Sequence, residues 1–176
     1  GASNTALGYS ALYSNISSYN TAVGNAALYN NTTGGGVTAV GFQAAYNNST
    51  GTFIDAFGYK ALYFNTTGIQ NVGIGAEVLT YNTTGSNNTA VGYAAGYNNT
   101  TGAENTAVGY QALKSNTTAS YNTAIGNTAL FNNTTASNNT AVGYQAGYSN
   151  TTGTQITALG YQAGYSTNAS QGLFIG

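Results

Sequence analysis

A fixed period constrains this chain more than any single motif. Runs of Ala-Val, Ala-Leu, Ala-Ile or close variants each end in a glycine: Gly8, Gly24, Gly41, Gly58, Gly75, Gly92, Gly109, Gly126, Gly143 and Gly160. The spacing is 16 residues once and then 17 residues eight times, and Gly176 follows after 16 more. Self-similarity of this kind marks a repeat architecture, in which each unit buries its apolar face only against its neighbours. With position 1 set at the residue before Thr-Ala-Val, coils begin near residues 4, 20, 37, 54, 71, 88, 105, 122, 139 and 156, and a half-coil spans 172–176. The whole of 1–176 reads as a single repeat domain.

Comparison among the copies shows what each position tolerates. Position 3 is Ala except for Gly73, and position 8 is Ala except for Val78. Position 4 is always a branched aliphatic or aromatic residue, and position 5 is always Gly. Position 7 drifts freely through Ser10, Ala26, Gln43, Lys60 and Glu77 to Gln162. Position 12 is Asn in nine coils: Asn15, Asn31, Asn48, Asn65, Asn82, Asn99, Asn116, Asn133 and Asn150.

Gly and Asn disfavour helix, whereas Thr, Val and Tyr favour strand. Asn-Thr-Thr-Gly at positions 12 to 15 is a turn signal. These features predict an all-β fold, a parallel β-solenoid of about ten coils with two short strands per coil, at positions 2 to 6 and 8 to 11. Stacking at ~4.8 Å gives a rod roughly 48 Å long. With variable position 7 facing solvent, strict alternation places positions 4, 6 and 8 inward and 3 and 5 outward. Val142 and its counterparts would then anchor the core. The small residues at positions 3, 5 and 8 would admit close approach, either by the second sheet of the coil or by another chain. Lys60 and Glu77 share position 7 in adjacent coils, so the register makes them neighbours on one face, close enough for a surface ion pair.

Composition removes most chemistry. Charged residues are 3% of the chain, the formal net charge is -1, and there is no His, Cys, Met, Trp, Pro or Arg. No basic field exists to hold nucleic acid, and no cysteine exists for a disulfide or thiolate site. General acid–base and nucleophilic catalysis need a positioned base or an activated nucleophile; the only carboxylates, Asp55, Glu77 and Glu104, do not recur together. The chain is therefore read as no enzyme, with no metal and no cofactor. Gly34 to Gly36 lacks the Lys and Ser/Thr of a phosphate loop and reads as a permissive turn. No apolar run reaches the ~20 residues of a membrane-spanning helix. The regular spacing and 41% hydrophobic content argue against disorder.

Each position-12 Asn opens an Asn-x-Ser/Thr signal. Read structurally, the asparagines are a ladder whose stacked amides bond from coil to coil, beside a Thr ladder that satisfies turn groups. Glycans on every coil would stand one strand spacing apart, so partial glycosylation is expected instead, with Asn30, Asn47, Asn98 and Asn132 at position 11 as acceptors. Aromatic rows at position 10 (Tyr13, Tyr29, Tyr46, Tyr63, Tyr97, Phe131, Tyr148, Tyr165) and position 6 (Tyr9, Phe42, Tyr59, Tyr93, Tyr110, Tyr144, Tyr161) read as stacking ladders first and as carbohydrate or receptor platforms second.

The segment NTAVGYQALKSNTTASYNTAIGNTALFNNTTASNNTAVGYQAG, Asn105 to Gly147, resembles the repeat regions of phage and bacterial tail-fibre-like proteins. Its Asn-x-x-Val/Ile-Gly core is similar to the head repeats of trimeric autotransporter adhesins. The resemblance implies an extracellular, cell-surface or virion-surface fibre, and in the adhesin family a trimeric β-roll head. The 17-residue coil is longer than that family's, and no coiled-coil stalk accompanies it. The expected role is a structural, self-assembling fibre whose partner is itself, as filament or homo-oligomer. The alternatives are an adhesin head binding a cell-surface glycan or receptor, and an ice-binding solenoid built on the position-2 threonines. The chain opens at Gly1 without Met, as a processed or excised segment would. Leu173, Phe174 and Ile175 begin an eleventh coil without completing it and read as an edge for head-to-tail stacking.

Overall fold

The computed structural model describes residues 1–176. It is a parallel β-solenoid with one three-residue strand per coil: β1 Thr5–Leu7, β2 Thr21–Val23, β3 Thr38–Val40, β4 Asp55–Phe57, β5 Val72–Ile74, β6 Thr89–Val91, β7 Thr106–Val108, β8 Thr123–Ile125, β9 Thr140–Val142, β10 Thr157–Leu159 and β11 Leu173–Ile175. The eleven strands form a single sheet in sequence order. Each strand pairs with the same positions one coil on, as in Val91 with Val108 and Val108 with Ile125. The 16-residue first coil keeps this register, since Leu7 still pairs with Val23.

The expected second strand is absent. Positions 8 to 11 are turn, because positions 7 and 9 adopt left-handed backbone in every coil; Gln111 and Leu113 have φ of 53° and 54°. Left-handed backbone breaks the extension a strand needs and costs a non-glycine residue roughly 1–2 kcal/mol. The stack overcomes that cost by repetition. Of 113 backbone hydrogen bonds only 20 lie within the strands, so the turns carry most of the bonding that holds one coil to the next.

The expected facing of positions 3, 4 and 6 is inverted. Ala141 at position 3 is fully buried, whereas Val142 at position 4 is 37% exposed. Val142 is therefore no core anchor; it stands on the outer face of the sheet. The inversion has a local cause. The glycine at position 5 sits at φ between 119° and 140°, and position 7 turns left-handed, so the phase of the strand cannot be counted back from position 7. Tyr144 and the other position-6 aromatics also point outward. Position 8 alone meets the expectation of facing inward, as Ala146 is fully buried.

The core is consequently thin. Ala at positions 3 and 8 meets Leu at position 9, and Val37, Ile54 and Ile156 add bulk from position 1. The recurrent glycine at position 5 answers neither to a second sheet nor to another chain. A Cβ on Gly109 would overlap the carbonyl carbon and oxygen of Gly126, its counterpart one coil on. The close approach is coil upon coil, along the axis.

Departures from the repeat compensate one another. A Cβ on Gly73 would lie 3.0 Å from Val78 Cγ1 and 3.2 Å from Leu62 Cδ1. Coil 5 has thus moved volume from position 3 to position 8. The same exchange closes the last turn, where Phe174 replaces Ala at position 3 and its ring occupies the space above Gly164, at a position where most coils carry Leu. In a close-packed interior such exchanges are tolerated as pairs and not singly. Gly73→Ala is expected to destabilise by about 1–3 kcal/mol through overpacking, and Val78→Ala by about 1–2 kcal/mol through a cavity. The double variant, which restores the common pair, should recover most of both losses. Guanidinium denaturation of all four chains in a double-mutant cycle measures the coupling, and additive losses would contradict the exchange.

Candidate functional site

The chain's working parts are columns, each made by one repeat position recurring along the rod. The most complete is the asparagine column at position 12. Each Nδ2 donates to the Oδ1 one coil earlier: Asn31 to Asn15 at 2.7 Å, Asn48 to Asn31 at 2.7 Å, Asn65 to Asn48 at 2.9 Å, and so on through Asn82, Asn99, Asn116, Asn133 and Asn150. The other Nδ2 hydrogen closes the turn, as in Asn99 to the carbonyl of Gly102 at 2.8 Å. From Asn31 onward these side chains are 0–2% exposed, so sugar cannot be carried on them. The position-13 hydroxyls form a second ladder, in which Thr83 Oγ1 donates to the carbonyl of Thr100 and Thr100 Oγ1 to that of Thr117.

A further asparagine column escaped the sequence reading, although the repeat was numbered from it. At position 1, Asn71 Oδ1 accepts the backbone N–H of Asn88 at 2.9 Å, and Asn88 Oδ1 that of Asn105 at 3.0 Å. Their Nδ2 groups donate to carbonyls at position 15 of the same coil, as from Asn88 to Gly102. Asn122 Nδ2 is the one buried side-chain polar atom left without a partner. The signal was present in the recurrence of Asn before Thr-Ala-Val, but Val37, Ile54 and Ile156 interrupt it and disguised it as a strand flank.

The position-10 aromatics stack in parallel at the coil spacing. Tyr13, Tyr29, Tyr46 and Tyr63 have ring centroids 4.9 to 5.2 Å apart, and Phe131, Tyr148 and Tyr165 repeat the arrangement. Thr80 would break the first stack, but the rings step sideways. Tyr63 meets Phe64 edge-on at 4.6 Å, Phe64 stacks on Tyr81 at 5.2 Å, and Tyr81 meets Tyr97 edge-on at 5.1 Å. Where Lys114 replaces the aromatic, its Nζ sits 5.5 Å from the Phe131 centroid. At position 6 the stacking is discontinuous, in the pairs Phe42–Tyr59, Tyr93–Tyr110 and Tyr144–Tyr161.

Lys60 and Glu77 lie on one face and line one cleft with Tyr63, Phe64, Tyr81 and Tyr97, yet form no ion pair. Lys60 Nζ is held over the Tyr59 and Tyr63 rings at 5.3 and 5.5 Å. Glu77 Oε2 accepts the Tyr93 hydroxyl at 3.2 Å. That hydrogen bond and the adjacent negative charge raise the Tyr93 pKa. Burial first, then its hydrogen bond with Tyr81, pushes Tyr97 up to about 12.

The outer face of the sheet carries Thr at position 2 beside the aliphatic row of position 4. Of the proposed glycan acceptors, Asn30, Asn47, Asn98 and Asn132 are half-buried, and Asn30 Nδ2 is engaged with Asn47 Oδ1 at 2.9 Å. Asn87 and Asn138 at position 17 are the exposed Asn-x-Thr sites. At the last strand Leu173 and Ile175 face outward while Phe174 packs on the core. No group of three or more His, Cys, Asp or Glu side chains is placed to hold a metal, and no helix is long and apolar enough to cross a membrane. No protein-family model matches the chain, nor does any curated protein or solved structure.

An interior rung tests the ladder. Asn99→Ala leaves Asn82 Oδ1 with no donor and removes one of two bonds from Asn116 Nδ2 and from the Gly102 carbonyl, which keep Ala119 and Asn88. A loss of about 1–3 kcal/mol is expected, the cost of one orphaned buried acceptor. The exposed Thr101→Ala, in ordinary backbone, should change stability by less than about 0.5 kcal/mol. Denaturant midpoints compare them.

The raised tyrosines give a pH prediction with a definite sign. A group whose folded pKa exceeds its unfolded value of ~10 favours the folded state fully below that value and loses this contribution as pH climbs to the folded pKa. Stability should therefore fall between pH ~10 and about 12. Ultraviolet titration should show Tyr97→Phe removing the latest-ionising phenol, and Glu77→Gln should bring Tyr93 ionisation down.

Proposed function

We propose that this chain is a rigid rod of an extracellular, cell-surface or virion-surface fibre and associates side by side with copies of itself through the outer face of its sheet. The observation that carries the reading is the position-4 row. Leu7, Phe57, Ile74, Ile125, Val142, Leu159 and Ile175 are more than a third exposed, and Val23, Val40, Val91 and Val108 continue the row between them. A contiguous exposed apolar strip of this kind marks an association surface. Its rungs recur at ~4.8 Å, a period that another copy of the same solenoid matches side chain for side chain. Near-absence of charge leaves no repulsion to keep such faces apart. Three rods with their sheets turned to a common axis would make a trimer, as the resemblance to autotransporter heads implies.

Two other readings have support from particular surfaces. The exposed aromatics of positions 6 and 10 suit an adhesin that engages a cell-surface glycan or receptor. The Thr and Val rows share one outer face whose single charge is Asp55, and this favours ice binding more than the sequence alone did, although Asp55 and Val72 interrupt the threonines.

Light scattering coupled to size exclusion tests the assembly. The chain is expected to run as a dimer or trimer at micromolar concentration. Val91→Lys with Ile125→Lys, two outward changes in separated coils, should give monomers with an unchanged circular dichroism spectrum. A monomeric parent chain would reject lateral association. Thermal hysteresis in that monomer would move the assignment to ice.

A further inference from the structure

We propose that the cleft between Tyr19 and Phe53 is a binding site for a neutral saccharide ring. The cleft, of ≈ 550 Å³, lies on the position-16 and -17 edge of the first three complete coils, away from both the outer sheet face and the stacked tyrosine columns. Its size falls in the range of small-molecule sites.

The cleft exists because one side chain is missing from two columns at once. Along position 17, Tyr19 and Phe53 are 73% and 68% exposed, and Gly36 stands between them. The two rings belong to coils separated by two strand spacings, about 9–10 Å. Phe53 leans over Gly36, where its ring carbons would meet a Cβ at 3.0 and 3.2 Å, so the opening is on the Tyr19 side.

Along position 16 the column closes itself wherever serine stands there, in five of the ten coils. Ser18, Ser86, Ser120, Ser137 and Ser170 each accept, through Oγ, the position-16 N–H of the coil before. Gly35 has no hydroxyl to offer, and the N–H of Ser18 has no protein acceptor. The neighbouring rung fails here too. Tyr19 N–H reaches the carbonyl of Ala2, Phe53 N–H that of Gly35, and Gln70 N–H that of Thr52, but Gly36 N–H does not reach that of Ser18. Among the lining residues the backbone N–H groups of Ser17, Ser18, Gly35, Gly36 and Thr52, the Ser18 carbonyl and the Thr33 and Thr52 hydroxyls are uncommitted within the chain.

This constellation selects its ligand by chemistry. Aromatic faces suit the C–H face of a pyranose, and a ring hydroxyl both donates and accepts, as the serine it would replace does. No lining residue carries a charge at neutral pH, so nothing rewards an anionic or cationic ligand for its desolvation. The site operates whether or not rods associate.

Gly35→Ser is the decisive variant. Gly35 is not in left-handed backbone, and a Cβ there would meet only Ser17 Oγ at 3.1 Å and the Ser18 carbonyl oxygen at 3.3 Å, so the substitution builds the rung that Ser86 and Ser120 make elsewhere and keeps the fold. Saturation-transfer NMR with chitotriose, cellotriose and maltotriose as probes is expected to show at least one binding with Kd of about 1 mM or tighter. Gly35→Ser and Tyr19→Ala should each weaken it by about tenfold or more, while Tyr161→Ala, a distant exposed aromatic, leaves it unchanged. Circular dichroism and oligomeric state should be unaltered in all three. Absence of binding by every probe, binding indifferent to both Gly35→Ser and Tyr19→Ala, or binding of a planar aromatic such as indole with none of the saccharides would each overturn the proposal.

Discussion

Every other feature of this rod depends on the coil-to-coil bonding of buried amides. A coil whose inward residues are Ala, Leu and Asn has little apolar bulk to contribute, and three left-handed residues per coil add backbone cost. The asparagine columns convert what would be buried polar liabilities into continuous chains of bonds. An amide alone in an apolar interior is costly, while one bonded on both sides and to its own turn is not. The requirement that each rung find the next fixes the register and explains why Asn recurs where a larger apolar residue would seem to give more.

The period, the all-β class, the parallel stacking and the position-12 column were legible because they follow from recurrence alone. Facing was not. Alternation is a rule about extended chain, and the glycine at position 5 with the left-handed residue at position 7 interrupts extension inside the very segment to which it was applied. Ala141 and Val142 consequently exchanged roles. The second strand failed for the same reason, since nothing in Gln-Ala-Leu announces that its first and third residues turn left-handed. Gly73 and Val78 were both noted as exceptions, yet their link is a distance between side chains and appears only with coordinates.

The surface features were least legible. The seven-ring path from Tyr13 to Tyr97 depends on Phe64 and Tyr81, which belong to a different repeat position from the rings they connect. The cleft at Gly35 and Gly36 is a defect in two columns, and a sequence reading that rewards regularity passes over defects. In a solenoid this uniform, specificity has to come from such irregularities, because any site formed by the repeat itself would recur along the whole rod.

The position-12 amides also give the rod a direction. Every Nδ2 from Asn31 to Asn150 faces the coil before it and every Oδ1 from Asn15 to Asn133 the coil after, so the amide dipoles add along the axis. The molecule is electrically polar end to end despite its near lack of charge. A coil arriving from either side can continue the column only in the same sense; one presented upside down would set oxygen against oxygen or hydrogen against hydrogen. The polarity of any longer stack is thereby encoded in a neutral side chain.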